Sequence, residues 1–301
     1  MLLGACAGPE TRHLREQTQA VELAAVPFHP QDEYQCGPAA LATLLGADGL
    51  AVSPDELVPE IYVPARQGSL QAEIVAAVRR RGRVPYVLAP HIEAALTELH
   101  DGRPVLLLQN LGTRALPVWH YAVIVGFDPQ TQTFVLRSGR ERRQELSARR
   151  LLESWDRAGR WMLVTASPGE PPASAQAGPW LRAASAFESL GAFEPAAAAY
   201  RAATRRWPDT AMAWTALGNV LAQQADWPQA YDAYEQALAN GDDGPLLRNN
   251  RAWVLAQMGC RDAAMDEIDT GLSAATPAQR ATLGDTRAQI RALQSDAVCS
   301  R

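Results

Sequence analysis

The side chain with the most reactive chemistry is Cys36, which is followed by Gly37 and Pro38. Apolar residues after it repeat with helical spacing as far as Gly46, so the pattern predicts a short helix that begins at Cys36, with Pro38 in its first turn. A thiol at a helix N-terminus lies beside about half a positive charge and unpaired amide donors, which lower its pKa. Cys36 is therefore the candidate nucleophile.

His120 is the candidate base for this thiol, because it begins an apolar segment that predicts a strand. A histidine distant in sequence can activate a cysteine when the fold brings the two together. His29, seven residues before Cys36, is the alternative base, but no predicted strand positions it. A buried structural cysteine and a core histidine are the alternatives for each residue taken alone.

A third group must orient the imidazole, and no carboxylate is placed to do so. Asp128 follows His120 by eight residues, which is about 26 Å along a strand. A turn at Asp128 sends the chain back, so that residues 138–140 arrive beside His120. The candidates for the orienting group are therefore neutral: Ser138, Gly139 or, from another strand, Asn110.

The segments 30–41 and 119–127 together resemble the C39-like cysteine peptidases, relatives of the bacteriocin-processing domains that cut peptides after double glycine. The resemblance covers about residues 26–166 and implies an α+β, papain-like fold. It also implies that Cys36 is the nucleophile and that His120 acts first as general base and then as general acid.

In this resemblance Gln31 donates its side-chain amide to the oxyanion, beside the backbone N–H of Cys36. Gln35 is the alternative, because it also lies close to the cysteine. Gln31 is five residues before Cys36, whereas some relatives place the glutamine six before. The family usually has an aspartate as the third catalytic residue. The absence of one here predicts either a Cys–His enzyme with a neutral orienting group or a decayed activity.

The order of the predicted elements is also that of an α+β domain, with helices first and antiparallel strands after them. We predict helices at 37–45, after a capping box at Ser53, at 69–81 and at 91–100, and strands at 104–109, 120–127, 133–137 and 161–165. The arginine-rich stretch 137–150 is interpreted as a solvated loop, with contact to an acidic peptide as the alternative.

The C-terminal part repeats with a period of 34 residues, in four pairs of positions: Trp180 and Trp214, Ala196 and Ala230, Tyr200 and Tyr234, Ala203 and Ala237. A weaker third copy follows. The pattern resembles the tetratricopeptide (TPR) repeat over about 177–277, and 278–295 is typical of the polar cap that such stacks require. The resemblance implies an all-α TPR solenoid whose groove binds a protein partner.

Composition places a boundary between these two parts. Residues 167–178 are rich in Pro, Gly, Ser and Ala, which predicts an interdomain linker. The predicted organisation is a tether at 1–23, a C39-like domain at 24–166, this linker, and three repeats with a capping helix at 179–301.

Cys6 is the candidate site of lipidation, because the sequence from Leu3 to Cys6 resembles the bacterial lipobox. Only five residues precede Cys6, and a signal sequence needs more. Either translation starts further upstream or the likeness is accidental. In the first case we expect a lipid-anchored protein on the periplasmic side of the bacterial envelope, in the outer membrane rather than the inner.

Cys260 and Cys299 are a candidate disulfide. Cys260 falls at the turn inside the third repeat, and Cys299 follows the capping helix, which is expected to end near the same turn. Disulfides persist in an exported protein. The alternative is a pair of free thiols.

The remaining composition excludes several classes of protein. The net charge of −5 without a basic stripe indicates no nucleic-acid partner, and no apolar run reaches a membrane span. No metal site or cofactor is expected. All 28 basic residues are arginine, which favours a GC-rich bacterial genome. The sequence thus predicts an envelope thiol peptidase that cuts a peptide or protein, with a peptide-binding scaffold or an acyl transferase as alternatives.

Overall fold

The computed structural model describes residues 14–31, 35–293 and 299. The chain folds into two compact units, one of Met1–Ser167 with Pro172–Pro179 and one of Pro168–Pro171 with Trp180–Arg301. Cys6 and residues 1–13 of the predicted tether lie outside the described residues. The prediction of a tether is wrong for residues 14–23, because Leu14 is fully buried and Val21–Glu22 form a strand of the first unit. No helix within the described ranges is both long enough and apolar enough to cross a bilayer.

Four helices form early in the first unit, and they confirm the four predicted from the sequence. The helix α1 is buried along most of its length, and α2 begins at the predicted capping box, where Ser53 and Glu56 bond each other's backbone N–H. The bounds are α1 Cys36–Ala47, α2 Pro54–Ile61, α3 Gln71–Arg80 and α4 Ile92–His100.

An antiparallel sheet forms the other layer of the first unit, in the order β4-β9-β5-β6-β7-β8, with β1 paired to β6. The strands β2 and β3 form a separate hairpin around a 3-10 turn at Pro64–Arg66. The bounds are β1 Val21–Glu22, β2 Tyr62–Val63, β3 Gly68–Ser69, β4 Val84–Val87, β5 Val105–Asn110, β6 Trp119–Asp128, β7 Thr133–Ser138, β8 Glu141–Ser147 and β9 Met162–Ala166.

The interpretation of 137–150 as a solvated loop is wrong. The stretch contains the end of β7, the strand β8 and the start of a fifth helix, α5 Ala148–Asp156. Among the described strands β8 pairs with β7 alone, and it exposes its charged side chains, so it lacks the apolar run that marks a strand in a sequence.

The apolar side of α1 packs against the sheet. Leu41 and Leu44 lie in one buried cluster with Val123 of β6 and Leu106 of β5, which are opposite each other in the strand register. This packing holds the N-terminus of α1 at the end of β6 where His120 lies.

The second unit consists of three consecutive pairs of helices and a final helix, as the 34-residue period predicts. Trp180, Tyr200 and Tyr234 are buried between them. Gly218 packs against the ring of Tyr234, where any larger residue would collide with the ring. The helices are α6 Ala177–Glu188, α7 Phe193–Arg206, α8 Ala211–Gln223, α9 Trp227–Ala239, α10 Pro245–Gln257, α11 Arg261–Ala274 and α12 Pro277–Ala292.

Part of the predicted linker is fixed on the first unit. The backbone N–H and the hydroxyl of Ser174 donate to the fully buried carboxylate of Glu98, and the N–H of Gln176 donates to the hydroxyl of Tyr86. A buried carboxylate needs such donors, which explains why this stretch is not free chain. The helix α6 already begins at Ala177.

Cys260 and Cys299 are joined by a disulfide, with their Cα atoms 4.5 Å apart. We expect the substitution Cys299→Ser to lower the free energy of unfolding of the helical unit by about 3–4 kcal/mol, because the bond closes a loop of about 40 residues in the unfolded chain. Denaturant unfolding of the oxidised protein measures this change. Reductant should destabilise the unsubstituted protein equally and leave the Cys299→Ser variant unchanged. Identical midpoints for the two proteins would contradict the prediction.

Candidate active site

Cys36 is the first residue of α1, as predicted, and its thiol is partly buried. The backbone N–H groups of Tyr121, of Gly37 and of Cys36 itself lie near the sulfur and act to lower its pKa. Burial outweighs these donors and raises the pKa of the thiol above its ordinary value. The predicted lowering of the pKa is therefore wrong, because the helix N-terminus lies in the protein interior.

His120 lies at the start of β6, and its Nε2 atom is 2.9 Å from the hydroxyl oxygen of Ser138. This contact leaves Nδ1 as the ring nitrogen available to another group. Burial lowers the pKa of His120 from its ordinary value of 6.5. Since the thiol is favoured as SH and the imidazole as its neutral form, Cys36 and His120 are both uncharged at neutral pH.

A β-bulge brings Ser138 to the side of His120. In the β6–β7 register Val123 pairs with Arg137 and Ile124 with Leu136, but the next pair is Gly126 with Val135, so β6 has one extra residue. Continued along the strands, this register puts Ser138 opposite Ala122, on the same face as His120. Without the extra residue every side chain of β7 beyond it would face the opposite side.

Asn110, the other candidate orienting group, has a different role. It pairs with Trp119 across β5 and β6, and its side chain bonds the loop between these strands. Asp128 bonds Gln130 and Thr131 within its own turn. Of the candidates Ser138, Gly139 and Asn110, Ser138 is the one that the described contacts place on the imidazole of His120.

Gln31 lines the same narrow cleft as Cys36 and Ser138, together with His29. The cleft holds about 10 Å³, which is space for about one water molecule. The backbone N–H of Gln31 donates to the carbonyl of Gly139, which fixes Gln31 beside the turn that follows Ser138. Gln35, the alternative glutamine, is the residue that precedes α1, and residues 32–34 between the two are outside the described ranges.

Arg137 is a charged residue that the sequence did not assign to this cleft. Its guanidinium is buried, and it donates to the backbone carbonyls of Ala24, Val26 and Arg142. These bonds tie the segment before the cleft to the hairpin of β7 and β8. Desolvation lowers the pKa of Arg137. No sequence pattern marks a buried arginine whose partners are backbone carbonyls distant along the chain.

Ser69 is a second residue that the sequence analysis missed. A Cβ at Gly37 would lie 2.2 Å from the Ser69 hydroxyl, which is buried and has no hydrogen-bond partner among the described residues. The carbonyl of Ser69 accepts a hydrogen bond from the hydroxyl of Tyr121. The β2–β3 hairpin thus packs closely against the start of α1, and only glycine fits at position 37.

We expect Gly37→Ala to slow alkylation of Cys36 by a peptide-based thiol reagent and to destabilise the domain by about 1–3 kcal/mol through overpacking. The double variant Gly37→Ala with Ser69→Gly should recover most of the alkylation rate and most of the stability, because glycine at position 69 removes the atoms that collide. Labelling kinetics and denaturant unfolding measure the effects, with Ser69→Gly as the single control. Equal behaviour of Gly37→Ala and the double variant would contradict this contact.

The model of the Peptidase_C39 like family matches residues 23–161. These residues form a C39-like peptidase domain. The match includes Gln31, Cys36, His120 and Ser138 and ends before the helical unit. That unit, with its 34-residue repeat, is a TPR-like solenoid.

Solved structures similar to the chain include both kinds of fold. A putative C39-like peptidase from Bacillus anthracis is 15% identical over 52% of this chain and 100% of that one, with a TM-score of 0.43. The peptidase domain of Streptococcus ComA, a bifunctional ABC transporter of a quorum-sensing pathway, is 20% identical over 47% and 98%, with a TM-score of 0.39.

YrrB, described as a TPR protein with an unusual peptide-binding site, is 21% identical over 38% of this chain, with a TM-score of 0.35. The chain spans 58% of the length of the YrrB structure. No curated protein sequence matches the chain.

Proposed function

We propose that the C39-like domain is a thiol peptidase that cleaves a peptide bond through a thioester on Cys36. The observation that carries this proposal is that the first turn of α1, with Cys36, lies beside the start of β6, with His120. Cys36 and Tyr121 line the same cleft, with the backbone N–H of Tyr121 near the sulfur, and the residue before Tyr121 is His120, whose imidazole bonds Ser138. In the reacting geometry we expect Nδ1 of His120 within about 4 Å of the sulfur.

The first half of the reaction forms the thioester. His120 accepts the proton of the Cys36 thiol, and the sulfur attacks the carbonyl carbon of the substrate. The C–N bond then breaks, and His120 returns the proton to the leaving amine. In the second half a water molecule loses a proton to His120 and attacks the thioester. The acid is released and the thiol is restored.

The oxyanion of each tetrahedral intermediate needs donors near the sulfur. The backbone N–H of Cys36 faces this region, because the first amides of a helix have no partner within it. The side-chain amide of Gln31 is the proposed second donor, and its position in the cleft of Cys36 supports that role.

Comparison of envelope proteins from cells with the intact gene and with the Cys36→Ala variant tests the proposal. Mass spectrometry of new N-termini should find at least one cut site that requires Cys36. The Ser185→Ala variant is a matched control, since it removes one polar side-chain atom at an exposed position of the helical unit and leaves the proposed site and the disulfide intact. Identical sets of termini in all three strains would contradict the peptidase proposal.

Peptide binding without cleavage is the second candidate function, and the site has features that favour it. Ser138 stands where the family usually has an aspartate, and burial raises the pKa of the thiol. Slow alkylation of Cys36 at neutral pH, at the rate of an unperturbed thiol, would favour this version. Acyl transfer uses the same two residues and is distinguished by trapping a cleaved substrate with an added amine.

The TPR-like unit is the proposed docking site for a protein partner or substrate. Its support is a cavity of about 430 Å³ lined from α6, α8, α9, α10 and α12. Asn219, Asn250 and Trp253 are among the lining residues. The variant Trp253→Ala is expected to reduce cleavage of a protein substrate and to leave cleavage of a short peptide unchanged.

The proposed location is the periplasmic side of the bacterial envelope, with a lipid anchor at Cys6. The disulfide between Cys260 and Cys299 supports an oxidising compartment. In cells that express the gene from its own locus, the protein should leave the membrane fraction when Cys6 is changed to Ser.

A further inference from the structure

The connection between β5 and β6 exposes large apolar side chains beside the proposed site. Leu111, Leu116, Val118 and Trp119 are 53%, 78%, 56% and 55% exposed, and all four fall within nine residues. We name these four residues the apolar rim. Exposed apolar side chains grouped in this way mark a binding surface, whereas single ones are ordinary.

The loop that carries the apolar rim is held by internal hydrogen bonds. The side-chain oxygen of the buried Asn110 accepts from the N–H groups of Gly112 and Val118, and its amide donates to the carbonyl of Thr113. The N–H of Leu111 also donates to the carbonyl of Val118. A loop fixed in this way does not fold its apolar side chains inward, so it loses little conformational entropy when a ligand covers them.

Gly112 shows how closely the two arms of this loop approach each other. A Cβ at this position would lie 2.3 Å from the carbonyl oxygen of Leu116. The guanidinium of Arg157 in addition donates to the carbonyl of Asn110 at the base of the loop. Several independent contacts therefore preserve a conformation that leaves apolar surface in water.

The apolar rim lies next to the proposed base along the chain. Trp119 is opposite Asn110 in the strand register and directly precedes His120, which bonds Ser138. Since successive side chains of a strand face opposite sides, Val118, two residues before His120, is the rim residue on the side of the imidazole. The cleft at Cys36 holds about 10 Å³, so large side chains need a surface outside it, and the apolar rim offers one.

We propose that the apolar rim binds large aliphatic side chains of the peptide substrate, close to the residue that enters the Cys36 cleft. This inference rests on the proposed function for its ligand, a peptide, but it does not require that the peptide be cut. It assigns Leu116 and Val118 to substrate specificity and Asn110 to the positioning of their loop.

Two covalent probes of Cys36 test the apolar rim: acetyl-Leu-Leu-Gly vinyl sulfone and acetyl-Ser-Ser-Gly vinyl sulfone. The thiol adds across the vinyl group of each, and its proton goes to the adjacent carbon, so labelling needs no turnover. In the full chain we expect the leucine probe to label Cys36 about 10-fold faster or more, since burial of one leucine side chain is sufficient for that ratio. Intact-protein mass spectrometry measures both rates.

The double variant Leu116→Ser with Val118→Ser should react with the two probes at nearly equal rates and keep its rate with the serine probe. Leu190→Ser is the matched control, because Leu190 is also exposed but belongs to the helical unit, and it should keep the preference. A wild-type protein without preference, or a double variant that retains it, would overturn the proposal. Labelling of Cys36 by iodoacetamide but by neither peptide probe would overturn it as well.

The same variants separate this proposal from a membrane role and from the peptidase proposal. If the double variant loses binding to phosphatidylethanolamine and phosphatidylglycerol vesicles while the probe preference is unchanged, the rim contacts lipid and the inference is wrong. A clear probe preference in a protein that cuts no peptide would contradict the peptidase proposal and support the rim. Cleavage of peptides by a protein that shows no preference between the two probes would support the peptidase proposal and contradict the proposed role of the rim.

Discussion

Substitution of His120 by alanine is expected to slow acylation of Cys36 by a peptide thioester at least 10³-fold, roughly the loss seen when a catalytic base is removed. The reason is that burial holds the thiol in its neutral SH form, so the sulfur needs a base at the moment of attack. Stopped-flow or quenched-flow measurement of acyl-enzyme formation under single-turnover conditions determines the rate.

His29→Ala is the matched control, because His29 lines the cleft of Cys36 and is the alternative base. It should change the rate only slightly. A large loss of the acylation rate in His29→Ala, with a normal rate in His120→Ala, would show that His29 and not His120 is the base. Equal rates in wild type and both variants would mean that no histidine activates the thiol.

Replacement of Ser138 is expected to have the second-largest effect, and its sign depends on the charge introduced. Ser138→Ala removes the hydrogen bond to Nε2 of His120 and should slow acylation by about 10-fold, because the ring is no longer held in one orientation. Ser138→Asp puts a carboxylate beside the ring. It should accelerate acylation by about 10-fold or more by stabilising the imidazolium that forms.

The pH dependence of acylation follows from the directions of the two pKa shifts. His120 must be neutral to accept a proton, and its pKa lies below 6.5, so the wild-type rate should fall only as the pH drops below that value. The raised pKa of Cys36 predicts no loss of rate from neutral pH up to about pH 9. A site with a stable thiolate and imidazolium at neutral pH would instead lose rate on the alkaline side.

In Ser138→Asp the new negative charge raises the pKa of His120, so the acid limb should move to higher pH by about 1 unit or more. Ser138→Asn is the neutral control of nearly the same size and should leave the acid limb in place. An acid limb that is the same in all three proteins would show that residue 138 does not contact the base.

Local pattern predicted much of the fold. The turn and capping signals around α1 and α2 and the apolar runs of β5, β6, β7 and β9 depend on neighbours within a few residues, and the structure confirms them. The helical pairs follow from positions 34 residues apart. Strand β8 was missed because a charged edge strand has no apolar run, and its pairing with β7 is its only signal.

The sequence by itself singled out Cys36 and His120 as the candidate nucleophile and base, and it also limited the candidate orienting group to neutral residues. Only the tertiary structure decided between Ser138 and Asn110, because one extra residue in β6 determines which side chains of β7 face the imidazole. Tertiary burial also reversed the expected shift in the pKa of Cys36. The tertiary structure alone also shows that Ser69 contacts Gly37 and that Asn110 anchors the loop before β6. Bulge registers, desolvation and close contacts between distant segments arise only when the whole chain is packed, so no local pattern contains them.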